Sequence, residues 1–164
     1  MVVIGFFALV AMAIFILNEN QSGSAAASSP TGIIGTVEAF MTGKLSAAQI
    51  AQYAAAAGFT GSDLITAVAV AETESGGDPN AYNPEIAAGT PTGEGSVGLW
   101  QIYTKVHPHY TAQQLADPQT NANEAYRVYS AAGGNFSPWS TFQSGAYMAN
   151  INAAQSGVAQ SQVA

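Results

Sequence analysis

The chain has 164 residues, enough for one ordinary domain with some length left for an anchor or a tail, and short for two globular domains. Only 8% of its residues are charged, 10 acidic against 3 basic (Lys44, Lys105 and Arg127), so it has no basic stripe to hold DNA or RNA, and no nucleic-acid partner is expected. It has no cysteine, which excludes disulfides, thiolate metal ligands and a cysteine nucleophile.

Residues 1–17 carry no charged side chain and hold Val2, Val3, Ile4, Phe6, Phe7, Leu9, Val10, Ile14, Phe15, Ile16 and Leu17. At ~1.5 Å per residue this stretch spans roughly 25 Å, near the lower limit for the ~30 Å hydrocarbon core, and it predicts a single apolar membrane-anchoring helix. A cleaved secretory signal and an apolar plug inside an assembly compete with that reading. Ala25-Ala26-Ala27 offers a small-residue cleavage site, but no Lys or Arg precedes the apolar run. Lys44 is the nearest basic side chain, so charge does not set an orientation.

Residues 18–43 read as a flexible tether followed by a short helix. Gln21 to Pro30 is rich in Ser, Ala and Gly with nothing large to bury, whereas Ile33, Ile34, Val37, Phe40 and Met41 recur at helical spacing. The folded domain is expected over residues 44–152, with a polar tail over 153–164. Its first helix starts at the cap Ser46, with Gln49 at capping-box distance, and stops at Gly58. Ser62 is the candidate cap of the second helix. Leu64, Ile65, Val68 and Ala71 line one face of it, and Gly76-Gly77 ends it just before Pro79.

From Asp78 to Val97 the Asn, Pro and Gly content predicts loops with at most short strands. Gly98 to Tyr103 suits a strand or a short helix. Further helices are expected over 121–132, stopped by Gly133-Gly134, and over 141–154. The predicted fold is mostly α, a helical domain with a loop-rich or short-strand lobe.

Two short motifs carry the chemistry. Glu74-Ser75-Gly76-Gly77 places a carboxyl in the last turn of a semi-apolar helix, and Gly98-Leu99-Trp100-Gln101-Ile102 supplies a turn with an aromatic and an amide. Cleavage of a glycosidic bond needs an acid that protonates the leaving oxygen as positive charge builds on the sugar. Apolar surroundings favour such an acid, and Glu74 follows Ala67, Val70 and Ala71 on its own helix face. Glu72 lies two positions earlier, roughly 200° around the helix, so the two carboxyls cannot share one cleft. Trp100 and Tyr103 adjoin Gln101 and are the candidate sugar-stacking aromatics. His107-Pro108-His109 lacks a companion cluster of ligands and predicts a surface turn, so neither a metal nor a cofactor is expected. Ser140 and Ser144 have no neighbouring base, which leaves a serine nucleophile unsupported.

The segment from Ala67 to Ala81 resembles the catalytic segment of the soluble lytic transglycosylase family, including versions found in phage tape-measure and tail-lysozyme proteins. Ser96 to Ile102 is similar to that family's Gly-Leu-Met-Gln-Ile turn in its Trp-bearing phage form. Leu115-Ala116-Asp117-Pro118 with Asn121-Ala122, Ser137-Pro138-Trp139-Ser140, and Ser144-Gly145-Ala146-Tyr147 extend the resemblance, which runs from about residue 45 to about residue 152. It implies a lysozyme-like α+β fold around a glycan cleft, with Glu74 as the general acid and Ser75 supporting it. It also implies that Gln101 contacts the glycan and that Tyr147 hydrogen-bonds the acid. Trp100 stands where Met is commoner, and Met148 where many members have Asn.

In that family one carboxyl suffices, because the substrate's acetamido group assists and its own 6-hydroxyl completes the reaction. A hydrolase would need a second carboxylate, for which Asp78, Glu85 and Glu94 are the loop candidates. The resemblance and the apolar N-terminus together imply peptidoglycan strands, a membrane and other virion proteins as partners, for a single-pass protein facing the cell wall. A muramidase, a host envelope enzyme and a non-catalytic wall-binding protein are the alternatives.

Overall fold

The computed structural model describes residues 43–163. The expected anchor over 1–17 and nearly all of the tether and short helix over 18–43 lie outside the described residues. Among the described residues no helix is long and apolar enough to cross a membrane.

Helix α1 (Ala47–Ala57) begins at the predicted capping box: the Gln49 amide donates to Ser46 Oγ at 3.3 Å, and the Ser46 amide donates back to Gln49 Oε1 at 2.9 Å. Helix α2 (Gly61–Ser75) starts one residue before the expected cap, since Thr60 rather than Ser62 has the extended backbone of an N-cap. Ala67, Val68, Ala69, Val70 and Ala71 are all fully buried, so α2 is enclosed on every side where it passes through the core. The alternating alanines let its neighbours approach closely. At Gly76 (φ +59°) the chain turns left-handed, its amide donating to the Glu72 carbonyl at 2.9 Å, and the helix ends as expected.

The stretch predicted as loop folds instead into an antiparallel sheet of strands β1 (Tyr82–Ala87), β2 (Thr90–Val97) and β3 (Ile102–Tyr103), in that spatial order. Ala88 and Gly89, at φ +50° and +80°, form the two-residue link between Ala87 and Thr90, a geometry that matches strand twist. Pro84 lies on the edge strand beside an irregularity in the register, where its missing N–H costs no ladder bond. Most of this ribbon is exposed, with burial confined to the base at Gly95, Val97 and Ile102.

After β3 a 3-10 turn (Thr104–Val106) and a one-turn helix α3 (Ala112–Leu115) lead to α4 (Pro118–Ala131). The last of these starts three residues before its predicted position, because Asp117 caps it through the Thr120 amide at 2.8 Å and Pro118 occupies its first turn. Phe59 packs among Tyr126, Tyr129 and Phe136, with ring centroids 5.0 to 5.7 Å apart.

The single helix predicted over 141–154 is three pieces: α5 (Ser140–Gln143), a 3-10 segment (Ala146–Asn150) and α6 (Ile151–Ser161), broken at Gly145 with φ +77°. Most of the expected polar tail is therefore helix. Ala154, Gly157 and Val158 are buried on α6, which packs on α1, and a β-carbon on Gly157 would come within 2.6 Å of Ala47.

Candidate active site

Glu74 is half-buried in the last turn of α2, where the chain leaves the helical body for the sheet. Thr141 of α5 donates its hydroxyl to Glu74 Oε1 at 2.6 Å. One residue earlier, Thr73 Oγ1 donates to the Ala69 carbonyl at 2.7 Å and accepts from Asn150 Nδ2 at 3.0 Å. Two side-chain bonds thus tie the end of α2 to the segment spanning α5 and the 3-10 turn. Glu74 Oε2 accepts no hydrogen bond among the described residues, and no buried side-chain polar atom there lacks a partner, so Oε2 is open to solvent.

Glu72 has different surroundings, as the helix geometry requires. Burial pushes its carboxyl above the ordinary value, and the nearby Lys44 ammonium partly offsets the effect. A carboxyl raised on folding contributes stability that is complete below its unfolded value and is lost as pH rises through the folded one. Glu72→Gln is therefore expected to unfold at a higher temperature than the wild type at pH 7. The gap should close as pH falls below the ordinary value of 4.5, as read by thermal melts across pH.

The motif turn is built from the inside. Asn121, fully buried on α4, accepts from the Trp100 amide and donates to the Val97 and Leu115 carbonyls, each at 2.9 Å. Its amide fills the space that a β-carbon on Gly98 (φ +78°) would need, which is why glycine stands there. Trp100 is not a sugar platform. It is 0% exposed, its indole Nε1 donates to the Ala67 carbonyl of α2 at 2.9 Å, and its own carbonyl accepts from the Trp139 indole at 2.8 Å. An indole wholly inside the core has no face to offer a ligand.

Gln101 is partly buried in a left-handed conformation (φ +47°), with Nε2 donating to the Gly98 and Ala81 carbonyls at 3.0 and 3.2 Å. The amide nitrogen is spent on the turn, and Oε1, which has no partner among the described residues, is open to solvent. Ala81 O also accepts from the Gly98 amide at 2.8 Å, so this turn is bonded to the segment that follows Glu74.

Ser75 is structural in its visible contacts: its hydroxyl donates to the Ala71 carbonyl at 2.9 Å and accepts from the Gly77 amide at 3.2 Å, closing the helix end. Tyr103 is half-buried and donates to Glu85 Oε1 at 2.6 Å, so its phenol is committed to the sheet. Donors from Tyr103, Thr92 and Lys105 hold the Glu85 carboxyl below its ordinary value. Glu94 accepts from Thr104 at 2.7 Å, and Asp78 Oδ1 from the Asn80 amide at 2.8 Å.

The hydroxyl that holds Glu74 belongs to Thr141 and not, as expected, to Tyr147. The Tyr147 ring stacks on Phe142 at 5.0 Å, and its hydroxyl bonds no other group among the described residues. Thr141 carried no sequence signal, since the bond joins residues 67 positions apart. His107 is likewise more than a surface turn. Its Nδ1 lies 2.7 Å from Glu124, a carboxylate 2% exposed that also accepts from Arg127 at 3.1 Å. Among the described residues no group of three or more His, Cys, Asp or Glu side chains is arranged to hold a metal.

The arrangement offers a solvent-facing carboxyl oxygen at the end of an enclosed helix and an amide oxygen on a pinned turn next to the last strand of the sheet. Compared with known proteins, residues 51–141 match the family model described as a lysozyme-like domain. The matched span includes Glu74, Gln101 and, at its last position, Thr141, whereas Tyr147 lies beyond it. No curated protein and no solved structure matches.

Proposed function

The chain belongs to the lysozyme-like domain family, and from that premise we propose that it is a peptidoglycan lytic transglycosylase cleaving the β-1,4 bond between N-acetylmuramic acid and N-acetylglucosamine. The observation that carries the reading is Glu74: a half-buried carboxyl at the end of an enclosed helix, held on one oxygen and open on the other. Its Oε2–H protonates the leaving O4 as the bond to C1 breaks, while the carbonyl oxygen of the substrate's acetamido group attacks C1. The Glu74 carboxylate then takes the proton from the C6 hydroxyl. That oxygen displaces the acetamido oxygen from C1 and leaves a 1,6-anhydro end. Gln101 Oε1 is placed to accept a hydrogen bond from a sugar hydroxyl or acetamido N–H.

A transglycosylase is favoured over a hydrolase by the state of Glu85, whose carboxylate is held below its ordinary value by donors from Tyr103, Thr92 and Lys105 and is a weak base for activating water. The test is a zymogram on gel-embedded sacculi. Clearing by the wild type and none by Glu74→Gln is the expected result; no clearing by the wild type would leave a wall-binding protein without turnover.

The same reading assigns residues 1–17, which lack any charged side chain, as a membrane tether and places the enzyme in a virion that opens the cell wall locally. The likeness of its motif turn to the Trp-bearing phage form supports the virion setting. Flotation of a peptide of residues 1–30 with liposomes supports the tether, and its retention in the aqueous fraction removes it.

A further inference from the structure

We propose that Thr141 is the residue that decides which oxygen of Glu74 carries the proton. The inference rests on Glu74 being the acid, and it concerns how one carboxyl serves as both acid and base. In a neutral carboxyl one oxygen is a carbonyl acceptor and the other a hydroxyl donor. Thr141 donates to Oε1 at 2.6 Å, which makes Oε1 the acceptor and puts the proton on Oε2, the oxygen open to solvent. After the Oε2–H bond breaks and the proton passes to the leaving O4, the same donor stabilises negative charge on Oε1. Oε2 is left as the more basic oxygen, and it takes back the proton from the C6 hydroxyl. The proton leaves and returns through one oxygen, and the carboxyl does not rotate between steps.

The hydroxyl is held rigidly enough for this role. Trp139 is the N-cap of α5, and its carbonyl accepts from the Phe142 and Gln143 amides at 3.1 Å, fixing the turn that contains Thr141. The Trp139 indole donates to the Trp100 carbonyl at 2.8 Å, and the Trp100 indole donates to Ala67 O at 2.9 Å. Ala67 lies on α2, about two turns before Glu74. The chain of contacts therefore closes on itself, from α2 through Trp100, Trp139 and Thr141 back to Glu74. The two indoles read from the sequence as glycan-binding aromatics or closing motifs are what hold the donor in register with the acid.

Among the described residues, few other ionisable groups compete for the carboxyl. Of the elements packed on α2, α5 and α6 carry no titratable side chain, α1 carries Tyr53, and the 3-10 segment carries Tyr147. Glu72 shares the helix end, with Lys44 beside it.

The experiment compares Thr141→Val, Thr141→Ser and Glu74→Gln in the full chain with purified sacculi as substrate. Thr141→Val keeps the shape and removes the hydroxyl, and it is expected to lower kcat on the order of ten- to a hundred-fold with KM little changed. Thr141→Ser, which restores the donor, should recover most of the rate. If Thr141→Val melts below the assay temperature, Thr141→Ala serves as the second hydroxyl-free variant, with the same expectation. A hydroxyl-free variant with the wild-type kcat, or a Thr141→Ser variant no faster than Thr141→Val, overturns the proposal while Glu74→Gln stays inactive. If Glu74→Gln is itself active, the assignment of the acid fails instead.

Discussion

Glu74→Gln should lower the rate of glycan cleavage by a factor on the order of 10² to 10⁴, the usual contribution of a positioned general acid. The substitution is unusually clean here. A glutamine keeps an acceptor oxygen for the Thr141 hydroxyl, so the side chain retains its anchor, while the amide nitrogen that replaces Oε2 carries no proton acidic enough to transfer to a leaving oxygen. Melting behaviour close to that of the wild type is expected alongside the lost activity. Glu72→Gln should keep the rate within about two-fold, since Glu72 sits roughly 200° around the helix, beside Lys44. The check is the rate of release of soluble muropeptides by the two variants in parallel. A Glu74→Gln protein that releases them as fast as the wild type would contradict the assignment.

Asn121→Ala is expected to be strongly destabilising, because it removes the amide that pins the turn carrying Gln101. The Asn121 amide makes three bonds of 2.9 Å, to the Trp100 amide and to the Val97 and Leu115 carbonyls. Removing it strands three main-chain groups inside the protein, at about 1–3 kcal/mol each. A loss of about 3 kcal/mol or more is a large part of the ~5–15 kcal/mol that holds a domain of this size together. A fall of about 10 °C or more in the thermal midpoint should follow. An unchanged midpoint would mean that water satisfies these groups and that Asn121 does not pin the turn.

The first two helices, and the placing of Glu74 at the end of the second, were legible in the sequence because their signals are local. Ser46 with Gln49 declares the start of α1, Gly76-Gly77 the end of α2, and the Glu74-Ser75 pair stands out against an alanine-rich run. The sheet was not legible, since Pro84, Pro91, Gly93 and Gly95 are loop residues by chemistry and the ribbon buries too little to show alternation. An aromatic beside Gln101 fits a sugar platform or a core anchor equally well. Only the position of Ala67 O, 33 residues away in the chain, makes Trp100 a core anchor. Thr141 is the extreme case, an ordinary threonine whose role arises from a contact across 67 positions. Gly145, by contrast, is a local signal, a glycine at φ +77° where the last predicted helix breaks.

The central claim is that a single carboxyl, Glu74, cleaves the glycan and lets the sugar's own hydroxyl finish the reaction. Mass analysis of the soluble fragments released from purified sacculi by the wild-type protein tests it most directly. Fragments ending in 1,6-anhydro-N-acetylmuramic acid, absent from a Glu74→Gln digest, are the predicted result. Fragments heavier by one water, with reducing ends, would contradict it and require a second group that activates water.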